Sequence, residues 1–337
     1  MTPNSYAKML TVIIPTWNRC PLLKRNLEAL LSYAIGYKDK LCIYVSDNAS
    51  DDGTQDYIQE LMPLFSDILI YHRQSQNIGA LANFMDAVKN ANSEYVHLLG
   101  DDDMLTPFFL PTIFTLIDRF PDVFMFHFNA ISVNHATKKI SGMRNPMFYE
   151  GSVQIYSDFS TFVKEHLAVP SLMSTNVFKR KCFLDTIVND TPDDYPGYFW
   201  LYQLYRSCIG QQLAYYSYPL IVQFMPDKQR WNVDLPWYYI YGCGHLFKEL
   251  DRNCPGVFMS WQNHLYHNSD GMERMFHTIS ENRDLYKKRY DKMVRYLNNA
   301  KYRKLLRLCV YSPSWLMTLR TASMKINEYL GYIRRKI

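Results

Sequence analysis

The stretch EYVHLLGDDD, residues 94–103, decides the fold class of this 337-residue chain. Its apolar part predicts a short buried strand, and three consecutive aspartates, Asp101, Asp102 and Asp103, follow where that strand ends. A helix is predicted beyond them, over about residues 106–120. A buried strand, a polar turn and a helix make up one βα unit, from which parallel sheets are built.

Three more βα units precede this one. Their apolar strands and amphipathic helices alternate over about residues 9–15, 20–33, 41–47, 53–61, 67–73 and 79–90. Repeated βα winding with short apolar strands is typical of an α/β protein with a Rossmann-like, mostly parallel sheet and helices on both faces. We expect that architecture here.

The rest of the chain departs from this regular winding. Residues 122–133 predict a strand that leads into a hairpin, and residues 213–224 predict paired strands with a turn at Pro219. After about residue 232 the pattern is helical. We therefore predict a domain boundary near residue 230, with a helical extension over residues 231–337.

Charge is distributed unevenly along the chain. The net charge is +5, but residues 281–337 hold 15 Lys/Arg against 4 Asp/Glu, so the remainder is mildly acidic. A basic tail predicts contact with an anionic partner. The seven cysteines are far apart and form no CxxC pair, which predicts free thiols in a reducing compartment. With no signal-peptide pattern and no apolar run of about 18 residues, we expect a cytoplasmic protein.

Polar residues follow three of the predicted strands, at residues 15–19, 47–53 and 100–103. Because ligands of doubly wound sheets bind at the carboxyl ends of the strands, these clusters predict one shared crevice. No GxxxxGK[ST] or GxGxxG pattern is present to hold phosphates.

A divalent cation held by carboxylates can supply the missing counter-charge for a diphosphate. The three aspartates could instead form a turn that caps the next helix, but a cap requires only one of them. Metal binding is therefore the favoured interpretation of Asp101–Asp103.

Four motifs together, TVIIPTWNR, YVSDNASDDGT, NIGALANFMDAV and EYVHLLGDDD, resemble the nucleotide-sugar-binding half of glycosyltransferase family 2. They cover about residues 9–130 in the family's order and spacing. The resemblance implies a GT-A fold, a donor half over residues 1–130 and an acceptor half over residues 131–230. It further implies metal-dependent, inverting transfer of a sugar from a nucleoside diphosphate, as in bacterial O-antigen or capsule synthesis.

The resemblance also assigns roles to residues. Asp102 and Asp103 match the last two acids of the family's metal motif and would hold Mn²⁺ or Mg²⁺, while Gly100 replaces the first acid. The donor pocket would be lined by Pro15, Thr16, Asn18, Arg19, Asp47, Asn48, Asn77, Gly79, Asn83 and Asp101. Helix capping and internal polar contacts are the alternative roles for Asn77 and Asn83.

The catalytic base is expected in the acceptor half. The family's Glu-Asp pair is missing from NDTPDDYPGYFW, so Asp194, or else Asp193, is the candidate that accepts the proton of the acceptor hydroxyl. Arg230 and Trp231 resemble part of a motif that contacts acceptor and diphosphate. A non-catalytic nucleotide-sugar-binding or scaffold protein of the same fold is the alternative; a nucleotidyltransferase would need a glycine-rich loop that this chain lacks.

The basic tail favours an anionic membrane surface as its partner. An apolar stripe accompanies its charges and consists of Leu285, Tyr290, Met293, Leu297, Ala300 and Leu305. The alternative is packing on the catalytic domain or on a second subunit. No nucleic-acid module accompanies these helices, so we expect no nucleic-acid partner. A lipid-linked glycan acceptor at the cytoplasmic face of the inner membrane would suit such a protein.

Overall fold

The structure is a computed structural model that describes residues 8–143, 145, 153–166, 172–187, 195–225, 233–267 and 269–312. The chain divides into two compact units. The first comprises Met1–Asn189 with Trp200–Asp227, and the second comprises Asp190–Phe199 with Lys228–Ile337.

The first unit is built on one mixed sheet. Its strands are β1 (Lys8–Thr16), β2 (Leu41–Asp47), β3 (Leu69–Arg73), β4 (Ser93–Leu98), β5 (Met104–Leu105), β6 (Val123–Asn134), β7 (Ile140–Met143), β8 (Val153–Tyr156), β9 (Asn176–Lys179) and β10 (Gln212–Met225). The order across the sheet is β3-β2-β1-β4-β9-β6-β10-β5, with β7 beside β6 and β8 beside β10.

The four N-terminal βα units form the regular part of this sheet. Strands β3, β2, β1 and β4 are all parallel to one another. Their helices are α1 (Cys20–Ala34), α2 (Thr54–Leu61), α3 (Ala80–Asn90) and α4 (Phe109–Arg119). The predicted parallel winding is confirmed, and the carboxyl ends of the four strands lie at one edge.

The acceptor side of the sheet contains one reversal. Strand β9 is antiparallel to both neighbours, β4 and β6, while β10 is parallel to β6. The unit also contains α5 (Phe159–His166), α6 (Arg180–Asp185) and α7 (Phe199–Cys208), of which the first residue of α7 falls in the second unit.

The expected paired strands with a turn at Pro219 are wrong. Strand β10 is continuous, because the residues before and after Pro219 pair with the same strand, β6. The register shifts on either side of Pro219. Proline has no N–H to donate to a ladder, so it is accommodated at an irregularity and the strand does not reverse.

The core of the first unit lies between the sheet and its helices. Leu23, Leu27 and Leu30 of α1 are buried at helical spacing. Central-strand residues such as Val12 and Ile43 are fully buried as well. Burial on both faces explains why these strands are apolar throughout.

The second unit is helical in the described residues. A π-helical segment, Trp237–Cys243, leads into α8 (Gly244–Leu250), followed by α9 (Val257–His267), α10 (Ser269–Glu281), α11 (Arg283–Val294) and α12 (Ala300–Tyr311). No helix among the described residues has the length and apolar character that crossing a membrane requires.

The apolar stripe expected on the basic helices is mostly used for internal packing. Met293 and Leu297 are buried, and Leu285, Tyr290 and Leu305 are half-buried. The exposed faces of α11 and α12 and of the turn between them are basic instead, with Lys287, Lys288, Lys292, Arg295, Lys301, Arg303, Lys304 and Arg307.

Candidate active site

The acid loop, Gly100–Asp103, follows β4, and neighbouring side chains hydrogen-bond to its backbone. The Gly100 N–H donates to Ser174 Oγ at 2.9 Å. Asn26 Nδ2 donates to the Asp101 carbonyl at 2.6 Å, and Arg25 Nη2 donates to the Asp102 carbonyl at 3.1 Å. Helix α1 on one side and the turn before β9 on the other therefore fix the path of the loop.

Asp101 points into the protein. Its carboxylate accepts from the Thr16 hydroxyl at 2.9 Å and from Arg19 Nη1 at 2.5 Å. Burial raises the pKa of Asp101 to about 6, and the negative charge of Asp102 acts in the same direction, while Arg19 and Thr16 oppose both. Asp101 thus links the ends of β1 and β4.

Asp102 and Asp103 lie in different surroundings. The Asp102 side chain is 32% exposed, and its Oδ2 accepts from Arg19 Nη2 at 2.6 Å. Asp103 is buried, and its Oδ2 accepts the Ser174 hydroxyl at 2.5 Å. Burial lowers the pKa of Arg19, but Asp101 and Asp102 raise it by more, so the guanidinium stays charged between them.

Little space surrounds Gly100 beside the acidic side chains of the loop. A methyl group on Gly100 would lie 3.1 Å from Asp102 Oδ1 and 3.2 Å from Asp103 Oδ2. A third acid at this position would crowd the two carboxylates. Among the described residues, no group of three or more His, Cys, Asp or Glu side chains is arranged to hold a metal ion.

The ends of β1 and β2 are joined through Asn18. Its backbone N–H donates to Ser50 Oγ at 2.9 Å, and its Oδ1 accepts the Asp51 N–H at 2.8 Å. Asn18 has a φ of 52°, a left-handed conformation that asparagine tolerates better than most residues. Pro15, just upstream, pairs with Ser46 of β2.

Asp47, expected to face the base and ribose, is fully buried at the end of β2. It accepts the Ser50 N–H at 2.9 Å and the Tyr71 hydroxyl at 2.7 Å, and it lies 3.6 Å from Arg73 Nε. Its oxygens therefore have partners within the protein, and the carboxylate organises the turn after β2.

Asparagine side chains connect the β2 turn to the start of α3. Asn48 Nδ2 donates to Asn77 Oδ1 at 3.0 Å, and Asn48 Oδ1 accepts the Ile78 N–H at 2.9 Å. Asn77 also accepts the N–H of Gly79, which has a φ of 87°.

Asn83, on the first turn of α3, is buried and faces the end of β2. Its Oδ1 accepts the Ser46 hydroxyl and its Nδ2 donates to the Ser46 carbonyl, both at 2.9 Å. In this structure Asn48, Asn77 and Asn83 connect the end of β2 to the start of α3.

The other candidates, Asp193, Asp194, Arg230 and Trp231, lie outside the described residues. Sequence reasoning missed three residues that hold the acid loop, Arg25, Asn26 and Ser174. Asn26 gave a signal, since it is a polar residue on the apolar face of α1. Ser174 gave none, because it lies 74 positions after Gly100.

The comparisons with known proteins identify the class of the chain. The family model described as Glycosyl transferase family 2 matches residues 11–176. This match covers about half of the chain, and the matched segment contains strands β2 to β8, most of β1 and the acid loop.

Two relatives and one solved structure show which proteins it resembles. Abequosyltransferase RfbV of Salmonella typhimurium is 35% identical over 35% of this chain and 35% of its own length. GalNAc(5)-diNAcBac-PP-undecaprenol beta-1,3-glucosyltransferase of Campylobacter jejuni is 34% identical over 31% of this chain and 33% of its own. The alignments thus span about a third of each relative.

The mannosyltransferase PcManGT of Pyrobaculum calidifontis, solved with GDP-Man and Mn²⁺, has a TM-score of 0.53 with this chain. The two share 17% identity, over 95% of this chain and 85% of that protein. At this identity the likeness shows the fold, and the predicted GT-A fold is confirmed.

Proposed function

We propose that the chain transfers a sugar from a nucleoside-diphosphate donor to a hydroxyl group of a glycan in bacterial surface polysaccharide synthesis. The observation that carries the proposal is the direct joining of Thr16, Arg19 and the acid loop at the carboxyl edge of the parallel strands. Ligands of open α/β sheets bind at that edge. The family match and the names of both relatives support sugar transfer.

A divalent cation, Mn²⁺ or Mg²⁺, suits this donor set. Asp102 and Asp103 would hold it, because these cations are bound by one or two carboxylates together with substrate phosphates. The nearness of Asp102 Oδ1 and Asp103 Oδ2 to the same point beside Gly100 fits that role. When bound, such an ion stabilises the negative charge that develops on a leaving diphosphate.

Arg19 and Thr16 would act on the donor from the end of β1. The Arg19 side chain is 44% exposed, so its guanidinium can pair with a diphosphate that approaches Asp102. Thr16 keeps Asp101 turned inward, which leaves Asp102 as the acid at the mouth of the site.

The proton of the acceptor hydroxyl must pass to a base in a single displacement with inversion. Asp194, with Asp193 as the substitute, is proposed for that role on the family resemblance alone. An Asp194→Asn enzyme should bind donor normally and lose turnover. Equal turnover in the variant and the unchanged enzyme would remove Asp194 from the mechanism.

Thermal unfolding in the presence of donors tests the proposal directly. UDP, GDP, CDP and dTDP sugars, each with and without Mn²⁺ or Mg²⁺, should include one that raises the unfolding temperature in a cation-dependent way, since a ligand stabilises the state it binds. The Asp102→Asn protein should lose the cation-dependent part of this rise in unfolding temperature. No stabilisation by any donor would contradict the donor site.

A lipid-linked acceptor is proposed because the Campylobacter jejuni relative is named for a PP-undecaprenol substrate. The exposed basic face of α11 and α12 would then lie against an anionic leaflet at the cytoplasmic side of the membrane. Each Lys or Arg near such a surface contributes about 1 kcal/mol. With Met293 and Leu297 buried, attraction by charge is favoured over insertion.

Co-sedimentation with vesicles tests this location. The protein should pellet with phosphatidylglycerol vesicles at low salt and be released by several hundred millimolar salt, because screening weakens surface electrostatics. Replacing Lys288, Lys292 and Lys304 with Gln should weaken pelleting. Equal binding to neutral phosphatidylcholine vesicles would contradict the electrostatic account.

A further inference from the structure

Ser174 has no role in the family motifs, yet it touches the acid loop at two places. It lies in a 3₁₀ turn, Met173–Thr175, directly before β9, and is 1% exposed. Its Oγ accepts the Gly100 N–H at 2.9 Å and donates to Asp103 Oδ2 at 2.5 Å. One hydroxyl thus joins the first and last residues of the loop.

The direction of the Ser174 hydroxyl is determined by these two contacts. A serine hydroxyl has one proton to donate and two lone pairs that accept. Because the Gly100 N–H is a donor, Ser174 Oγ accepts from it through a lone pair. The proton is therefore directed to Asp103, which as a carboxylate retains further acceptor capacity. A hydrogen bond to an ionised acceptor is short and strong, in keeping with the 2.5 Å distance.

The turn that presents Ser174 is itself anchored. The Ser174 carbonyl lies 2.7 Å from Nε2 of His97, a fully buried residue of β4. Because a carbonyl oxygen only accepts, Nε2 is the protonated nitrogen. Strand β9 is paired with β4 on one side and β6 on the other, so the turn is attached to the centre of the sheet.

We infer that Ser174 is a positioning residue, which fixes the Asp103 carboxylate in the orientation that a divalent cation requires. The inference rests on the proposed function, since it assigns Asp103 to a cation. Groups that orient a metal ligand typically contribute 10-fold to 100-fold to metal affinity. No sequence motif marks Ser174, because the contact is created by the insertion of β9 between β4 and β6.

The neighbouring Thr175 provides a matched control. It lies in the same turn and is fully buried, and its hydroxyl donates to the Leu172 carbonyl at 2.6 Å. Thr175→Val removes a buried hydroxyl of this turn at unchanged volume. Ser174→Ala removes the hydroxyl that holds Asp103.

Mn²⁺ binding, measured by the loss of the free-ion electron paramagnetic resonance signal with UDP, GDP or CDP present, tests the inference. Ser174→Ala should weaken Mn²⁺ binding at least tenfold, and Thr175→Val should stay within twofold of the unchanged protein. Ser174→Cys replaces the hydroxyl with a thiol, a poor hydrogen-bond donor, and should also weaken Mn²⁺ binding. This variant tests the inference if Ser174→Ala does not fold.

The outcomes separate this inference from the proposed function. If the unchanged protein binds no Mn²⁺ with any of these nucleotides, both are overturned. If it binds Mn²⁺ and folded Ser174→Ala or Ser174→Cys binds it equally well, only the role of Ser174 is overturned. Equal weakening by Thr175→Val would also overturn it, by showing a general effect of loosening the turn.

Discussion

The loops after β2 and β4 occupy similar positions in the sheet, but their aspartate side chains differ in exposure. Both follow central parallel strands, and both are rich in aspartate. After β2, Asp47 is fully buried and bonded to Ser50 and Tyr71. After β4, other residues hold the backbone, and the Asp102 side chain is 32% exposed.

This difference follows from the cost of burying charge. A buried carboxylate must be satisfied by internal donors, and the donors around Asp47 belong to the turn after β2 and to the next strand. In the acid loop Asn26 and Arg25 bind carbonyl groups instead, so two of its acids are not needed to shape the backbone. Position at a strand end therefore predicts a site, and the hydrogen-bond partners of each acid distinguish its role within that site.

The largest expected effect is on activity, from Asp102→Asn. If Asp102 stabilises charge on the donor, turnover should fall by about 10²-fold to 10³-fold, the usual consequence of removing a group that acts on developing charge. Stability should hardly change, because the side chain is partly exposed. Donor-dependent sugar transfer and thermal unfolding measure the two effects.

A matched control for this variant is Asp122→Asn, which removes an exposed acid outside the site. It should leave both turnover and stability unchanged. Full turnover in Asp102→Asn would abolish the proposed distinction between the two loops, because the exposed acid would then be as dispensable as Asp122.

The second effect is on folding, from Asp47→Ala. The change leaves the Ser50 N–H and the Tyr71 hydroxyl without their acceptor and removes the ion pair with Arg73. Losses of this kind cost about 3 kcal/mol of unfolding free energy. Asp51→Ala, an exposed acid of the same turn, should cost under about 0.5 kcal/mol. Urea denaturation of both variants checks this, and equal costs would contradict it.

Sequence patterns predicted the part of the fold in which neighbouring elements are also neighbours along the chain. The four N-terminal βα units, and the place of Thr16, Arg19 and Asp101 at one edge, follow from apolar periodicity and strand-end polarity. Contacts between segments distant in sequence could not be predicted, because periodicity indicates which residues are buried and not which residues they contact. Ser174 and the antiparallel insertion of β9 belong to that class.

Residue type also gave no information on internal partners. Asp47 was predicted to contact the donor, which stays a prediction, and its residue type did not indicate that Tyr71 and Arg73, on the next strand, are its internal partners. Pro219 suggested a reversal, and only pairing with β6 shows a bulge in one strand.

The third effect is a loss of folding stability at low pH, which originates at His97 of β4. Burial lowers the pKa of His97 from 6.5 to about 4. Below pH 6.5 the unfolded chain binds a proton that the folded protein does not, so stability falls as the pH falls towards 4. The loss from this group is roughly 2 kcal/mol by pH 5.

The variant His97→Gln retains a donor for the Ser174 carbonyl and cannot titrate. Its unfolding free energy should change less between pH 7 and pH 5 than that of the unchanged protein. Some acid sensitivity should remain, because burial also lowers the pKa of His166 to about 4. Identical pH profiles would show that His97 titrates normally in the folded state.

The smallest effect concerns the turn after β2 and comes from Gly53→Ala. Gly53 has a φ of 86° and nothing within 4 Å of an added methyl group, so backbone strain is the sole expected cost, about 1 kcal/mol. Gly36→Ala meets equally open space without a positive φ and should change stability by less than about 0.5 kcal/mol. If the two variants unfold at the same urea concentration, Gly53 does not have the strained backbone conformation described. In that case Asp47 alone would account for the order of the turn after β2.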